Sequence, residues 1–230
     1  GLDRIAPIMR ENGKTNHEEI FIDRCEQLKA LRCHVIYTVP ISLVYYDRAT
    51  DMLENYGHPP ILPMIKIHDR FGNICSEGLE KIKELIVKRV TPFSGDRSLE
   101  KEVFDSTETI RLMCEMSGGH PRELMQFMQT AIDWTDELPI CKQAVQRAIA
   151  ESRKVYRNTV NKEEWDKLAQ VHTSKKILHD NEHRSLLFRR CVLEYCDLTD
   201  DGEPERWHDV HPLILKIPEF KEALEKIQES

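Results

Sequence analysis

The sequence predicts a mainly helical protein that begins with a short α/β part and ends with a helix and a two-stranded hairpin. Residues 33–40 and 61–67 are short, apolar, β-rich runs that alternate with helical patterns, as expected of parallel strands with flanking helices. From Glu77 onward the apolar residues recur with helical spacing only. Residues 191–195 and 206–210 then form a second pair of β-rich runs around a turn, which predicts the hairpin.

The α/β part is predicted from local signals. Thr15 or Asn16 can cap a helix over residues 17–31, whose apolar side chains fall on one stripe. The first β-rich run is continuous and ends in a proline, which is typical of a strand buried on both faces. The second run contains Pro63, which has no backbone N–H and therefore favours an edge position.

The remaining helices follow from apolar residues at helical spacing. We expect them over residues 77–90, 99–116, 121–133, 139–157, 162–172, 182–190 and 219–227. The break at residues 91–96 contains proline and glycine and is the best candidate for a domain boundary. A helix followed by a hairpin with a turn at residues 200–204 is how a winged-helix module ends.

The composition is that of an ordinary globular protein. The chain has 230 residues, 40% of them hydrophobic and 32% charged, and no apolar run approaches the roughly 18 residues that a membrane span needs. No basic segment is followed by an apolar stretch, so the sequence predicts no secretory signal peptide. Seven cysteines at irregular spacings suit a reducing cytosol, so we expect a cytoplasmic protein without a membrane partner. The net charge of −7 disfavours nucleic-acid binding over the whole surface and leaves only a local patch for it.

The most informative motif is the run Met116–Leu124, which lies between two helical patterns. Gly118 and Gly119 accept the left-handed backbone that ends a helix, and Pro121 suits the first position of the next helix. Arg122 then lies in the first turn, where the helix dipole is positive and a cation is disfavoured. A bound phosphate would explain a basic side chain here, because helix N-termini bind anions. The alternative is a tight helix–helix turn with a solvated arginine.

Four motifs, taken in their order along the chain, resemble the C-terminal two-thirds of a P-loop ATPase of the AAA+/STAND type. They are Gly1-Leu2-Asp3, Val35-Ile36-Tyr37-Thr38-Val39-Pro40, Gly118-Gly119-His120-Pro121-Arg122 and Val210-His211-Pro212-Leu213-Ile214. They are similar to the end of the Walker B motif, the sensor-1 strand, the Gly-x-Pro and sensor-2 motifs, and the histidine motif of the winged helix. The resemblance implies the remainder of an α/β P-loop core over residues 1–90, an all-α helical lid over 91–160 and a winged-helix domain over 161–230.

The resemblance also implies roles for individual residues. Asp3 would be the second acidic residue of Walker B, and Thr38 the sensor-1 residue that reaches towards the γ-phosphate, so both would be catalytic. Pro121 would pack beside the adenine, Arg122 would contact phosphate, and His211 would sense the β-phosphate of ADP. The implied cofactor is ATP or ADP with Mg²⁺, and the implied function is a nucleotide-dependent conformational switch. Each residue also has a structural alternative: an exposed carboxylate, a packed strand end, a solvated turn or a capping histidine.

The Walker A loop of the family is missing from these 230 residues, as is the Walker B aspartate that binds Mg²⁺. Gly13-Lys14-Thr15 has the ending of such a loop, but Ile8 stands where its first glycine should be, and no apolar strand leads into it. We therefore expect no ATP hydrolysis by this chain on its own, and an ATPase only where a longer chain supplies Walker A. The implied partners are nucleotide and either a second copy of the chain or an effector domain.

Two other functions stay open. One is a DNA-binding, initiator-like ATPase fragment, because residues 171–190 carry five Lys or Arg against two acidic side chains and winged helices often bind duplex DNA. The other is a protein-interaction module that never binds nucleotide. Cys191, Cys196, His208 and His211 line up as a zinc pattern, but their spacings depart from those of structural zinc sites, and we predict no metal site.

Overall fold

A computed structural model describes Ile5, Ile8, Arg10, Glu11 and residues 13–94 and 98–229. The described chain is mainly helical, as predicted, and contains a two-stranded antiparallel sheet. It divides into two compact units: the first comprises residues 1–62 and 178–189, and the second residues 63–177 and 190–230. None of the helices in the described ranges has both the length and the apolar character to cross a membrane.

The described α-helices are α1 Asn16–Glu18, α2 Cys25–Lys29, α3 Ala49–Tyr56, α4 Ser76–Ser94, α5 Thr107–Met116, α6 Pro121–Asp133, α7 Lys142–Thr159, α8 Glu164–Ser174, α9 Asn181–Phe188 and α10 Pro218–Gln228. The strands are β1 Val192–Leu198 and β2 Pro204–Val210. Glu19–Asp23 and Leu99–Val103 are π-helical, and Ile41–Tyr45 and Ile214–Lys216 are 3₁₀-helical.

Local capping signals determine where several of these helices begin. Thr15 starts α1 with a capping box, in which its hydroxyl oxygen accepts from the backbone N–H of Glu18. The single helix that we predicted over residues 99–116 is instead a π-helical turn followed by α5. The reason is that Ser106 acts as the N-cap of a separate helix, α5, because its Oγ accepts from the backbone N–H of Thr109.

The predicted strand over residues 33–40 is wrong, because this run has no regular secondary structure. Ile36 within it is 94% exposed, so the run lies at the surface of the first unit. A β-rich run forms a strand only where a second backbone pairs with it, and the sheet of the described chain contains only β1 and β2.

The predicted strand over residues 61–67 is also wrong, although this segment is tied to its neighbours. Met64 N–H donates to Glu194 O at 2.9 Å, and Ile65 N–H donates to Gly119 O at 3.2 Å. These are single bonds to two different partners and not a ladder along one strand. The parallel strands expected for residues 1–90 are therefore not found among the described residues.

The first unit has a small core, formed by Phe21, Ile22, Leu43 and Met52. Arg184 of α9 is buried in this unit. Its Nη1 donates to Tyr45 O at 3.0 Å, and its guanidinium lies 4.5 Å from the centroid of the Tyr46 ring. This arginine is therefore used for contacts within the unit.

The second unit contains the larger core, in which α6 packs on α7, α4 on α5 and α8 on α10. Its fully buried side chains include Ile82, Ile86, Phe127 and Phe220. α4 continues to Ser94, so the boundary expected after residue 90 falls inside a helix. The division of the chain at residues 90 and 160 stays a prediction, and the two compact units have other bounds.

The predicted hairpin is confirmed: β1 and β2 pair antiparallel, with Val192 opposite Val210. Tyr195 stacks on Trp207 with 4.6 Å between ring centroids, and both pack with Leu193. The pair exemplifies the aromatic cross-strand contacts that stabilise hairpins.

A half-buried carboxylate joins the end of α8 to β2. Asp209 accepts hydrogen bonds from His172 Nδ1 and Lys175 Nζ, each at 2.6 Å. His208 N–H of the same strand donates to Lys175 O at 2.9 Å. Helix, hairpin and closing helix are thus present, while their assignment as a winged helix stays a prediction.

Candidate anion-binding site

A Gly-Gly turn joins α5 to α6, and other parts of the second unit press against it. Gly118 and Gly119 have φ angles of 60° and 76°, the left-handed backbone that the sequence predicts here. A Cβ on Gly119 would lie 1.7 Å from Ile65 O, and one on Gly118 would lie 2.9 Å from Pro212 Cδ. Tyr195 OH donates to Gly118 O at 2.8 Å. Glycine is required here both for the backbone conformation and for the close approach of neighbouring chain segments.

The start of α6 is half open to solvent. His120 is the N-cap, and Pro121 holds the first helical position, as predicted. His120 Nδ1 accepts from the backbone N–H of Glu123 at 3.1 Å, which satisfies one donor of the helix start. His120 and Glu123 are buried, whereas Pro121 and Arg122 are exposed.

His211 lies in the turn after β2 and is only 1% exposed. Its Nδ1 accepts from Leu213 N–H at 3.2 Å, so in the neutral imidazole the proton is on Nε2. The ring stacks on Tyr156 with 4.7 Å between centroids. Nε2 is buried and has no hydrogen-bond partner among the described residues. A buried donor without a protein acceptor is uncommon and needs an explanation.

Four polar side chains of the second unit interact with one another around this histidine, and together with it they form what we call the polar cluster: His120, Glu123, Tyr156, Arg190 and His211. Tyr156 OH donates to Glu123 Oε2 at 3.5 Å. The positive charge of Arg190 acts on each of the other four. Its Nη1 is buried and, like His211 Nε2, has no hydrogen-bond partner within the described ranges.

Burial dominates the protonation of the polar cluster. Burial, followed by the charges of Arg190 and Arg122, lowers the pKa of His120 to about 4. Burial, followed by His120 and Arg190, lowers the pKa of His211 to about 3. Burial raises the pKa of Glu123, an effect that Arg190 opposes. At neutral pH the two imidazoles are therefore uncharged N–H donors beside a guanidinium cation.

This arrangement can bind an oxyanion. The polar cluster offers the Nε2–H groups of His120 and His211 and the guanidinium of Arg190, beside the positive end of the α6 dipole. The Glu123 carboxylate is its strongest acceptor and already receives the hydroxyl of Tyr156. Helix N-termini and arginines are the usual ligands of phosphate groups in proteins.

The structure brings three of the predicted binding residues to this region. His211 belongs to the polar cluster, and Pro121 and Arg122 directly follow His120 at the start of α6. The Gly-Gly turn and the turn that holds His211 meet where Gly118 lies against Pro212. Their roles towards nucleotide stay a prediction.

The two predicted catalytic residues are not part of this site. Thr38 lies in the first unit, exposed, in the run that forms no strand. Its sensor-1 strand is therefore not formed in the described structure. Asp3 lies outside the described residues.

The residues of the zinc pattern make other contacts. Cys191 O accepts from His211 N–H at 2.9 Å, and His208 Nε2 lies 3.3 Å from Glu194 Oε2. In the described part of the chain no three His, Cys, Asp or Glu side chains are grouped as ligands of a metal ion.

Sequence reasoning missed four members of the polar cluster. His120 had a usable signal, because it stands between a glycine pair and Pro121, where an N-cap is expected. Glu123 and Tyr156 lie on the buried faces of α6 and α7, where helical spacing does not distinguish a polar from an apolar role. Arg190 follows α9 with a left-handed φ of 61°, which no local pattern predicts.

No protein-family model matches this chain, and neither does a curated protein or a solved structure.

Proposed function

We propose that this chain is the C-terminal portion of a STAND/AAA+-like, nucleotide-dependent conformational switch that responds to ATP or ADP. The observation that carries the proposal is the buried, unpartnered Nε2 of His211 next to the start of α6. The glycine-rich turn and the histidine turn are far apart in sequence, and each resembles a phosphate-associated motif of this class. Their contact through Gly118 and Pro212 supports a shared ligand.

The switch would work as a shift in population between arrangements of the lid and the winged helix. A nucleotide phosphate that contacts both Arg122 and His211 favours the arrangement in which their turns are in contact. A different phosphate chain length changes these contacts and so changes the population. Mg²⁺ would enter with the nucleotide, and hydrolysis would require a Walker A loop from a longer chain.

DNA binding through α9 receives less support. Arg184, one of the basic residues that suggested it, is 6% exposed and donates to backbone and side-chain oxygens of its own unit. A buried guanidinium does not contact the phosphates of a duplex. A salt-dependent affinity for duplex DNA would reverse this preference.

Isothermal titration of ATP and of ADP into the complete protein encoded by the gene tests the proposal. We expect binding, and we expect Arg122→Ala to weaken it roughly 10-fold or more, because a charge-assisted hydrogen bond to phosphate is lost. Arg111→Ala is the matched control, since Arg111 is an exposed helical arginine that pairs with Glu115 at 2.7 Å. No binding heat with the wild type would contradict the switch and support the protein-interaction module.

A further inference from the structure

We propose that Arg190 is an oxyanion-binding residue whose guanidinium, together with the Nε2–H groups of His120 and His211, binds a phosphate group at the start of α6. The inference deepens the proposed function and rests on it for the source of the phosphate. It adds a residue that neither the motifs nor the helical pattern indicate.

The backbone of Arg190 is the first reason. Its φ of 61° is in the left-handed region, which is uncommon for residues other than glycine. Such conformations persist where the surrounding structure requires them, and they are concentrated at ligand sites. Arg190 lies between the end of α9 and the start of β1, next to Cys191, whose carbonyl accepts from His211 N–H.

The surroundings of the guanidinium are the second reason. Nη1 of Arg190 is buried and has no hydrogen-bond partner among the described residues, and the same holds for Nε2 of His211. The two atoms belong to side chains that act on each other electrostatically. An arginine cannot give up its proton, so only an acceptor can satisfy this nitrogen.

The balance of donors and acceptors identifies the ligand class. Both imidazoles accept a backbone N–H on Nδ1 and therefore carry their proton on Nε2. Glu123, the carboxylate of the polar cluster, accepts from Tyr156 OH at 3.5 Å, and neither Arg190 Nη1 nor His211 Nε2 donates to it. A ligand that fits this set has acceptor atoms only and a negative charge, as a phosphate oxyanion has.

The test is a titration of inorganic pyrophosphate into the 230-residue chain by calorimetry. We expect the wild type to bind, Arg190→Gln to bind about 10- to 100-fold more weakly, and Arg190→Lys to retain part of the affinity. Arg189→Gln is the matched control, since Arg189 is the adjacent arginine and its Nε donates to Ser185 O at 3.3 Å. We expect its affinity to stay within about twofold of wild type, because the polar cluster is left intact.

A second readout separates ligand contact from a structural role. The ¹⁵N-labelled side chain of His211 should shift its Nε2–H signal when pyrophosphate is added to the wild type and not to Arg190→Gln. If Arg190 serves only to neutralise Glu123, the double variant Glu123→Gln/Arg190→Gln would bind pyrophosphate as the wild type does, and the proposal would be wrong.

The outcome is distinguishable from that of the proposed function. The role of Arg190 is overturned if the wild-type chain does not bind pyrophosphate or if Arg190→Gln binds it with wild-type affinity. Neither result contradicts the proposed nucleotide switch, which the titration of ATP and ADP into the complete protein tests separately. Pyrophosphate binding that depends on Arg190 supports the oxyanion site even where ATP and ADP give no heat.

Discussion

Gly119 makes the closest backbone contact of the Gly-Gly turn, and it shows why this position accepts no side chain. Its φ of 76° already disfavours any other residue, and an added Cβ would lie 1.7 Å from Ile65 O. The turn cannot shift away from Ile65 without disturbing two hydrogen bonds, from Tyr195 OH to Gly118 O and from Ile65 N–H to Gly119 O. The glycine pair that ends α5 is therefore also a packing surface.

We predict that Gly119→Ala lowers the free energy of unfolding by about 3 kcal/mol or more, measured by urea denaturation. Gly202→Ala is the control, because Gly202 has a similar φ of 79° and nothing within 4 Å of an added Cβ. Its loss should be about 1 kcal/mol, from backbone strain alone. Equal losses in the two variants would show that the segment around Ile65 does not press on the turn.

The buried imidazoles predict how stability depends on pH. A histidine whose pKa falls on folding from the ordinary 6.5 to about 3, as His211 does, binds fewer protons in the folded than in the unfolded state. Its contribution to stability is therefore present above pH 6.5 and is lost as the pH falls towards the folded pKa. Glu123, whose pKa is raised by burial, acts in the opposite direction and offsets part of this loss.

Replacing His211 with glutamine should therefore flatten the plot of unfolding free energy against pH. Between about pH 6 and pH 4 the slope should decrease by up to about 1.4 kcal/mol per pH unit relative to wild type. Denaturant titrations at several pH values give the slope, and His58→Gln, the same substitution at an exposed histidine, is the control. An unchanged slope in His211→Gln would show that this imidazole is accessible to protons in the folded chain.

Among the elements, most helices of the second unit were predicted. In the first unit α3 was missed, the predicted helix over residues 17–31 is interrupted by a π-helical turn, and the two predicted strands of the α/β part do not form. α6 has the predicted bounds because proline and glycine act locally, through backbone conformations that their neighbours cannot change. The run 33–40 has the composition of a buried strand, but no local feature supplies the backbone that would pair with it. The hairpin was predictable because both of its strands and the turn are contiguous in sequence.

The irregular run at residues 33–40 predicts where a protease cuts the chain first. We expect limited trypsin digestion to cleave after Arg32, which is exposed and precedes an irregular, exposed segment. Lys154 is also exposed but lies inside α7, where the helix must open before cleavage, and serves as the internal comparison. Mass spectrometry of the early fragments checks the order, and initial cleavage within α7 would contradict it.

Across the whole molecule, the chain forms two compact units that are each built from separated stretches of sequence. Residues 178–189 belong to the first unit, although they lie far along the chain from its other members. The predicted division into residues 1–90, 91–160 and 161–230 follows the order of the motifs along the chain. Such a division cannot assign a late segment, residues 178–189, to the same unit as the first residues. The proposed switch depends on the second unit, which contains the whole of the polar cluster.

Local chemistry was enough to locate the Gly-Gly turn, the start of α6 and the hairpin, because glycine, proline and alternating apolar residues act over a few neighbours. Folding of the second unit was needed to bring His211 near His120 and to bury the Nη1 atom of Arg190. The spacing of apolar residues predicts which face of a helix or strand is buried, but it does not predict which other residues pack against that face. Contacts such as that between Gly118 and Tyr195, 77 positions apart, are selected by packing and hydrogen bonding in the assembled core.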